Sequence, residues 1–166
     1  TWSWGYPNGP MKDVPGKPGM FKLHNGALQA EHPTAGSYWL YAESADNLLF
    51  TENETNNERL FGQPNATPYV KDAFHRAIID GEIEAAHPEA GTKAAFLYPT
   101  TVPSGETYSI RLRLTNQANQ QPFSDFAQLF SQRQVEADQF YADVQRTDLS
   151  EDEKRVQRQA FAGMMW

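Results

Sequence analysis

The sequence predicts a mainly β fold that runs into helices at its C-terminal end, and three observations predict it. Apolar and polar residues alternate with a period of two in several short runs up to Thr115. Asn25-Gly26 and Pro103-Ser104-Gly105-Glu106 supply turn chemistry between such runs. From Pro122 onward the apolar spacing lengthens to that of an α-helix. Sequential hairpins at this spacing favour an antiparallel sandwich or meander over a βαβ arrangement.

Residues 5–20 are dense in Gly and Pro, which rules out a central strand or a helix interior, so a surface loop following the tail of a strand is expected. Phe21-Lys22-Leu23-His24 alternates, Asn25-Gly26 turns, and Ala27-Leu28-Gln29-Ala30 returns as a first hairpin. A second is expected from Tyr38-Trp39-Leu40-Tyr41 and Leu48-Leu49-Phe50, across Glu43 to Asn47. A third is expected from 93–102 and 107–115. There Tyr108, Ile110, Leu112 and Leu114 point one way and Ser109, Arg111 and Arg113 the other, the mark of a strand with one buried face. A long excursion separates Phe50 from Lys93. It opens as a polar loop from Glu52 to Gly62, with Leu60 and Phe61 as apolar anchors. A helix over 68–80 follows, with Thr67 as cap, Pro68 in the first turn, a stripe of Val70, Ala73, Phe74, Ala77 and Ile78, and Gly81 as stop. Excursions of this length inside a compact β domain are usually functional or cover a neighbour.

Beyond Pro122, Ser124 is a plausible N-cap, and Phe126, Leu129, Phe130, Ala137, Phe140, Tyr141 and Val144 fall on one face. A second helix starts at the capping box Ser150-Glu151-Asp152-Glu153. Its stripe is Val156, Ala160, Gly163 and Met164, with Phe161 and Met165 adding another, so neighbours are expected on two sides. The helix meets no stop signal before Trp166, and the start at Thr1 has neither initiator Met nor signal-peptide pattern. An internal piece of a larger protein is expected. An isolated piece would leave Phe161, Met164, Met165 and Trp166 seeking a partner, with self-association as one outcome.

Composition narrows the function classes. Aromatic residues make up 13% of the 166, which argues against disorder. A formal charge of −7 argues against nucleic acid as a partner, because that binding rests on neutralising phosphates. No window is apolar enough for a membrane span. Cys is absent, which excludes disulfides, thiolate nucleophiles and Cys-ligated zinc and fits a cytoplasmic origin. His24, His32, His75 and His87 are scattered without metal-ligand spacing, and no P-loop, GxSxG or GxGxxG occurs, so neither metal nor cofactor is expected. Asn53-Glu54-Thr55 and Asn65-Ala66-Thr67 match a glycosylation acceptor, which matters only in a secreted protein. Trp2, Trp4 and Tyr6 have the chemistry to stack on sugar rings, although packing is the commoner use of such residues.

The candidate site is the polar loop. Glu52, Asn53, Glu54, Asn56, Asn57, Glu58 and Arg59 are candidates for contact with substrate or with another domain. Paired carboxylates perform glycosidic acid–base chemistry, but an i, i+2 spacing in a loop fixes no separation, so none of the three Glu is assigned as catalytic.

Three stretches are long enough to compare with known families: Leu48 to Asn56, Glu58 to Gly62, and Pro64 to Asp72. Together with Gly91 to Ala95 and Val156 to Met164, they resemble bacterial-type glucosidases similar to family 63 glycoside hydrolases, the mannosyl-oligosaccharide glucosidase relatives. The resemblance implies an N-terminal β-sandwich joined through linker helices to an (α/α)6 barrel. It also implies hydrolysis of α-glucosidic bonds with inversion, by a carboxyl pair in the barrel. No residue here matches that pair. Residues 1–118 then correspond to the second half of the sandwich, with an excursion at 52–91, and 119–166 to linker helices leading to a barrel that this chain lacks. The barrel of the same polypeptide and the carbohydrate substrate are the implied partners. The alternative is a self-contained carbohydrate- or protein-binding sandwich, which the helices after Thr115 fit poorly.

Overall fold

The computed structural model describes residues 19–45 and 47–165, the side chain of Met165 excepted. The chain divides into two compact units, Thr1–Gln120 and Gln121–Trp166. The predicted fold class is the observed one: antiparallel sheets first, helices after them.

In the first unit β1 (Gly19–Lys22), β2 (Leu28–His32) and β3 (Gly36–Ala42) pair in sequence. The first hairpin forms as expected, with Lys22 opposite Leu28 and Gly26 in the left-handed region at φ +79. A second strand pair, β4 (Asn47–Thr51) with β6 (Lys93–Leu97), makes a separate sheet. Two short strands complete the five-stranded sheet: β5 (Ala90–Gly91) beside β1 and β7 (Leu112–Thr115) beside β3, in the order β5-β1-β2-β3-β7.

The two sheets face each other across one apolar layer. Met20, Leu28 and Ala30 come from the five-stranded sheet and Leu48 and Phe50 from the other, with Leu40, Ala94 and Phe96 packed against them. Leu48-Leu49-Phe50 is a continuous apolar run because β4 is buried on both faces. Leu49 points away from the other two, onto Ala77, Ala86 and Phe74 of the excursion. The excursion is therefore a third layer over the back of β4.

Two expected hairpins do not form. β3 has β2 and β7 as neighbours, so β4 crosses to the other sheet, through a connection in which Ser44 adopts a positive φ of 54. β6 and β7 likewise belong to different sheets, and 98–111 runs between them without regular structure. Period-two alternation locates a strand but not its partner. The side chains of Tyr108, Ile110, Leu112 and Leu114, expected to be buried, are exposed.

The 68–80 helix is shorter than expected. Thr67 Oγ1 accepts from the Tyr69 N–H in a local turn, and α2 spans only Ala73–Ile78, after Asp72. Residues 69–71 instead hydrogen-bond to the start of the excursion, as described below.

In the second unit, α3 covers Phe126–Val144 and α4 Glu151–Met165. The capping box forms: the Ser150 N–H and hydroxyl donate to Glu153 Oε2 at 2.8 and 2.7 Å, and the Glu153 N–H donates to Ser150 Oγ. Ser124 does not cap α3, whose N-cap is Asp125. The apolar residues expected on one face of α3 include Tyr141, which is buried, and Phe130, Phe140 and Val144, which are exposed. Tyr141 stacks on Phe161 and lies under the Arg158 guanidinium, which also pairs with Asp138 at 2.6 Å. The α4 stripe that includes Val156 and Met164 has no such cover. No helix among the described residues is long and apolar enough to cross a membrane.

Candidate functional site

The candidate loop leaves β4 at Thr51, a buried residue whose hydroxyl donates to the Val70 carbonyl at 2.6 Å. The Glu52 N–H then donates to the Tyr69 carbonyl and the Lys71 N–H to the Glu54 carbonyl, which ties 52–54 to 69–71. Thr92, also buried, closes the base. Its hydroxyl donates to Glu52 Oε2 at 2.9 Å and accepts the Asn53 N–H at 2.9 Å, which uses the donor and an acceptor lone pair of one group. Tyr69 meets the His87 ring edge-on at 4.8 Å, and His87 Nδ1 accepts the N–H groups of Glu89 and Ala90.

Above that base the loop is helical at its tip. Asn57–Phe61 form a short helix, α1, which ends where Gly62 takes a left-handed conformation at φ 66. Asn56 caps it: its Oδ1 accepts the Arg59 N–H at 3.0 Å and an Asn65 side-chain N–H at 2.9 Å. The Asn56 amide donates in turn to both carboxylate oxygens of Asp72, at 3.3 and 3.1 Å. Asn65 Oδ1 takes the two remaining first-turn donors, the N–H groups of Asn57 and Glu58. Arg59 Nη1 reaches Asp72 Oδ2 at 3.3 Å.

Of the predicted site residues, the structure brings Asn56, Arg59 and the backbone of Asn57 and Glu58 into one network. Glu52 and Asn53 meet at Thr92. Glu54 contributes its backbone carbonyl to the pairing below. The Glu58 side chain is exposed. Glu52 accepts from the neutral Thr92 hydroxyl, and Arg59 pairs with Asp72. Leu60 and Phe61 do not anchor the tip: they are 62% and 67% exposed. The tip is capped by Asn56 and Asn65 instead.

Sequence reasoning missed Asp72, Asn65 and Thr92 as site residues. Thr92 follows Gly91, and the small residue there was the available signal. A Cβ on Gly91 would lie 2.5 Å from the Thr51 carbonyl oxygen, so only glycine lets the chain pass this close to β4. The Asn65 side-chain nitrogen, the atom a glycan would need, is committed to Asn56.

Two open concavities flank the site and share Pro68. One, of about 510 Å³, is lined by Glu58 and by residues Gly62 to Pro68. The other, of about 440 Å³, is lined by Pro68, Arg76 and residues Gly81 to Ala85. Among the described residues no group of three or more His, Asp or Glu could hold a metal ion. Trp2, Trp4 and Tyr6 lie outside the described residues.

The chain is similar to the uncharacterized protein YMR196W of Saccharomyces cerevisiae, with 36% identity over 132 residues. That match covers 72% of this chain and 12% of the yeast protein. The chain thus spans about an eighth of the length of that relative. No protein-family model matches the chain, and no solved structure does.

Proposed function

We propose that this chain is a non-catalytic β-sandwich and linker-helix part of an inverting α-glycosidase, α-glucosidase-like in substrate. In this reading Glu52, Asn53, Glu54, Asn56, Asn57, Glu58 and Arg59 form a contact surface toward the catalytic (α/α)6 barrel and the mouth of its substrate cleft. The observation that carries it is convergence. The stretches that resemble family 63 glycoside hydrolases are separate in sequence, yet Glu52, Asn56, Arg59, Asn65, Asp72 and Thr92 from those stretches close into adjoining hydrogen-bond networks at one edge of the fold. Such networks hold polar side chains in fixed positions at the end of a strand, as a recognition surface requires.

A contact role rather than catalysis follows from how the carboxylates are placed. Inverting hydrolysis needs an acid and a base across a gap that admits sugar and water, roughly 6.5–9.5 Å between carboxyls. Glu52 is turned to Thr92 inside its own loop, and Asp72 is tied to Asn56 and Arg59. Glu58 lines the 510 Å³ concavity, whose other lining residues, Gly62 to Pro68, include no second carboxylate.

The test is hydrolysis of aryl α-glucosides by the purified 166-residue chain and by the full-length protein. The expected result is no turnover by the chain and turnover by the full-length protein. Turnover by the chain that Glu52→Gln or Glu58→Gln abolishes would overturn the contact role. A full-length protein inactive on every α-glycoside tried would overturn the parent activity.

A further inference from the structure

We propose that Asn25 is a site of covalent self-modification, in which the Gly26 backbone nitrogen closes on the Asn25 side chain and leaves an aspartyl or isoaspartyl residue in the first hairpin. The inference stands on the turn between β1 and β2 and is independent of the glycosidase reading.

Asn followed by Gly suits this reaction because no side chain on the second residue shields its backbone nitrogen. The other described asparagines are all followed by residues with side chains. The turn supplies the rest. The Leu23 N–H donates to the Ala27 carbonyl at 2.8 Å and the Gly26 N–H to the Leu23 carbonyl at 2.9 Å. With Gly26 at φ +79, this is a turn followed by one left-handed residue, a three-residue hairpin loop. Asn25 and Gly26 are both exposed, and beyond its chain neighbours nothing lies within 4 Å of an ideal Cβ on Gly26, so water and base reach the pair. Asn25 Oδ1 accepts the Ala27 N–H at 3.2 Å, which folds the side-chain amide forward against the Gly26 peptide. The same N–H faces the oxygen on which negative charge develops during ring closure.

The chemistry needs only water. Base takes the Gly26 amide proton, the nitrogen bonds to Asn25 Cγ, and the Cγ–Nδ2 bond breaks as ammonia leaves with a proton from solvent. Water then opens the ring at either carbonyl. One opening leaves aspartate at position 25; the other routes the main chain through the former side chain and leaves isoaspartate. Both products add a negative charge. Isoaspartate also adds a backbone atom to a loop whose length sets the register that places Lys22 opposite Leu28. It therefore loosens the hairpin that carries Met20, Leu28 and Ala30 into the core. One hydrogen bond restrains the reaction. The Gly26 N–H must leave the Leu23 carbonyl before its nitrogen can attack, so in the folded chain the rate follows local opening of this turn. Asn25 accumulates a covalent record of that opening.

Peptide mapping by mass spectrometry tests this, on the 166-residue chain incubated at mildly alkaline pH both folded and in urea. The mass change of an NH2-to-OH exchange should appear at Asn25 in both samples, with aspartyl and isoaspartyl peptides separating, and faster than at any other described asparagine. Conversion in the folded chain should be slower than in urea by about tenfold or more, the signature of a turn that must open first. In urea, Gly26→Ala should slow conversion at Asn25 by about tenfold or more, because a methyl group then flanks the attacking nitrogen. The isolated isoaspartyl form should melt several degrees below the unmodified chain. Equal rates in the folded and unfolded chain would overturn the restraint. Conversion at Asn25 no faster than at Asn65, which precedes the small Ala66, would overturn the site, as would no product in the folded chain after about a hundred unfolded half-times. An unchanged midpoint for the isoaspartyl form would overturn its effect on the hairpin.

Discussion

Gly91 stands where β5 hands over to β6, and the absence of a side chain there decides whether the excursion can close. A methyl group at 2.5 Å from a backbone oxygen forces the backbone itself to move. Gly91→Ala should therefore cost about 1–3 kcal/mol, the range for overpacking a closed site. Gly163 is the contrast: nothing lies within 4 Å of its ideal Cβ on α4. Gly163→Ala should stabilise by about 0.5–1 kcal/mol through helix propensity alone. Urea midpoints of the two variants check both signs, and matching shifts in one direction would contradict the account. At this scale the site was half legible. A dense run of Asn and Glu after a strand marked Asn56 and Arg59. Asp72 and Thr92 carried no local mark, because their roles arise only when residues far apart in sequence are folded onto Asn56 and Glu52.

Elements were easier to foresee than their pairings. Apolar alternation found β1, β2, β3 and β7, and the apolar run found β4. It did not show that β3 and β4, or β6 and β7, sit in different layers, since a connection that changes sheet reads the same as a hairpin turn. The third hairpin also suggested burial for Tyr108 to Leu114, which the narrow second layer does not supply. Caps behaved differently, because their partners are three residues away. Ser150 and Glu153 meet as the sequence indicates. The Ser150 hydroxyl, and then its backbone N–H, hold the Glu153 carboxyl below the usual range. A depressed carboxyl favours the folded helix above its unfolded value, near 4.3. That contribution is lost as pH falls through the lower folded value. Circular dichroism from pH 6 to pH 2.5 should show helix content falling at the acid end. Ser150→Ala should remove part of that pH dependence; an identical acid profile in the variant would count against the cap.

Tyr98 carries the opposite sign at the end of β6. Burial first, then Tyr108 and Glu43, push its phenol above the ordinary value. The raised value favours the folded state below about pH 10 and ceases to do so as pH rises through it. In the alkaline titration followed at 295 nm, Tyr98→Phe should remove absorbance change above about pH 10. Removal of change below that value instead would contradict the environment formed where Tyr98 donates to the Glu43 carbonyl.

For the whole molecule, the two units leave different surfaces uncovered. Val156 and Met164 on α4 have no cover among the described residues, as Leu112 and Leu114 have none in the first unit. Self-association of the isolated chain is the expected consequence of such faces. Sedimentation velocity should show a concentration-dependent species that Val156→Glu with Met164→Glu removes; a monomer at every concentration would contradict it.

The contact surface proposed above centres on the capped tip around Asn56. Asn56→Ala alone cannot separate contact from local stability, because Asn56 caps α1 and holds both Asn65 and Asp72. Arg59 is the cleaner probe: it is largely exposed and its ion pair with Asp72 is worth about 0–1 kcal/mol within the chain itself. In the full-length protein Arg59→Ala should cost about 1–3 kcal/mol in substrate binding or in domain docking, the usual penalty when a buried polar partner is left unpaired. The direct measurement is KM and thermal midpoint for Arg59→Ala in the full-length protein, beside the midpoint of the same variant in the isolated chain. The account predicts a raised KM or a lowered midpoint in the full-length protein and a shift in the chain no larger than the exposed ion pair allows. Unchanged KM and midpoint in the full-length protein would contradict it.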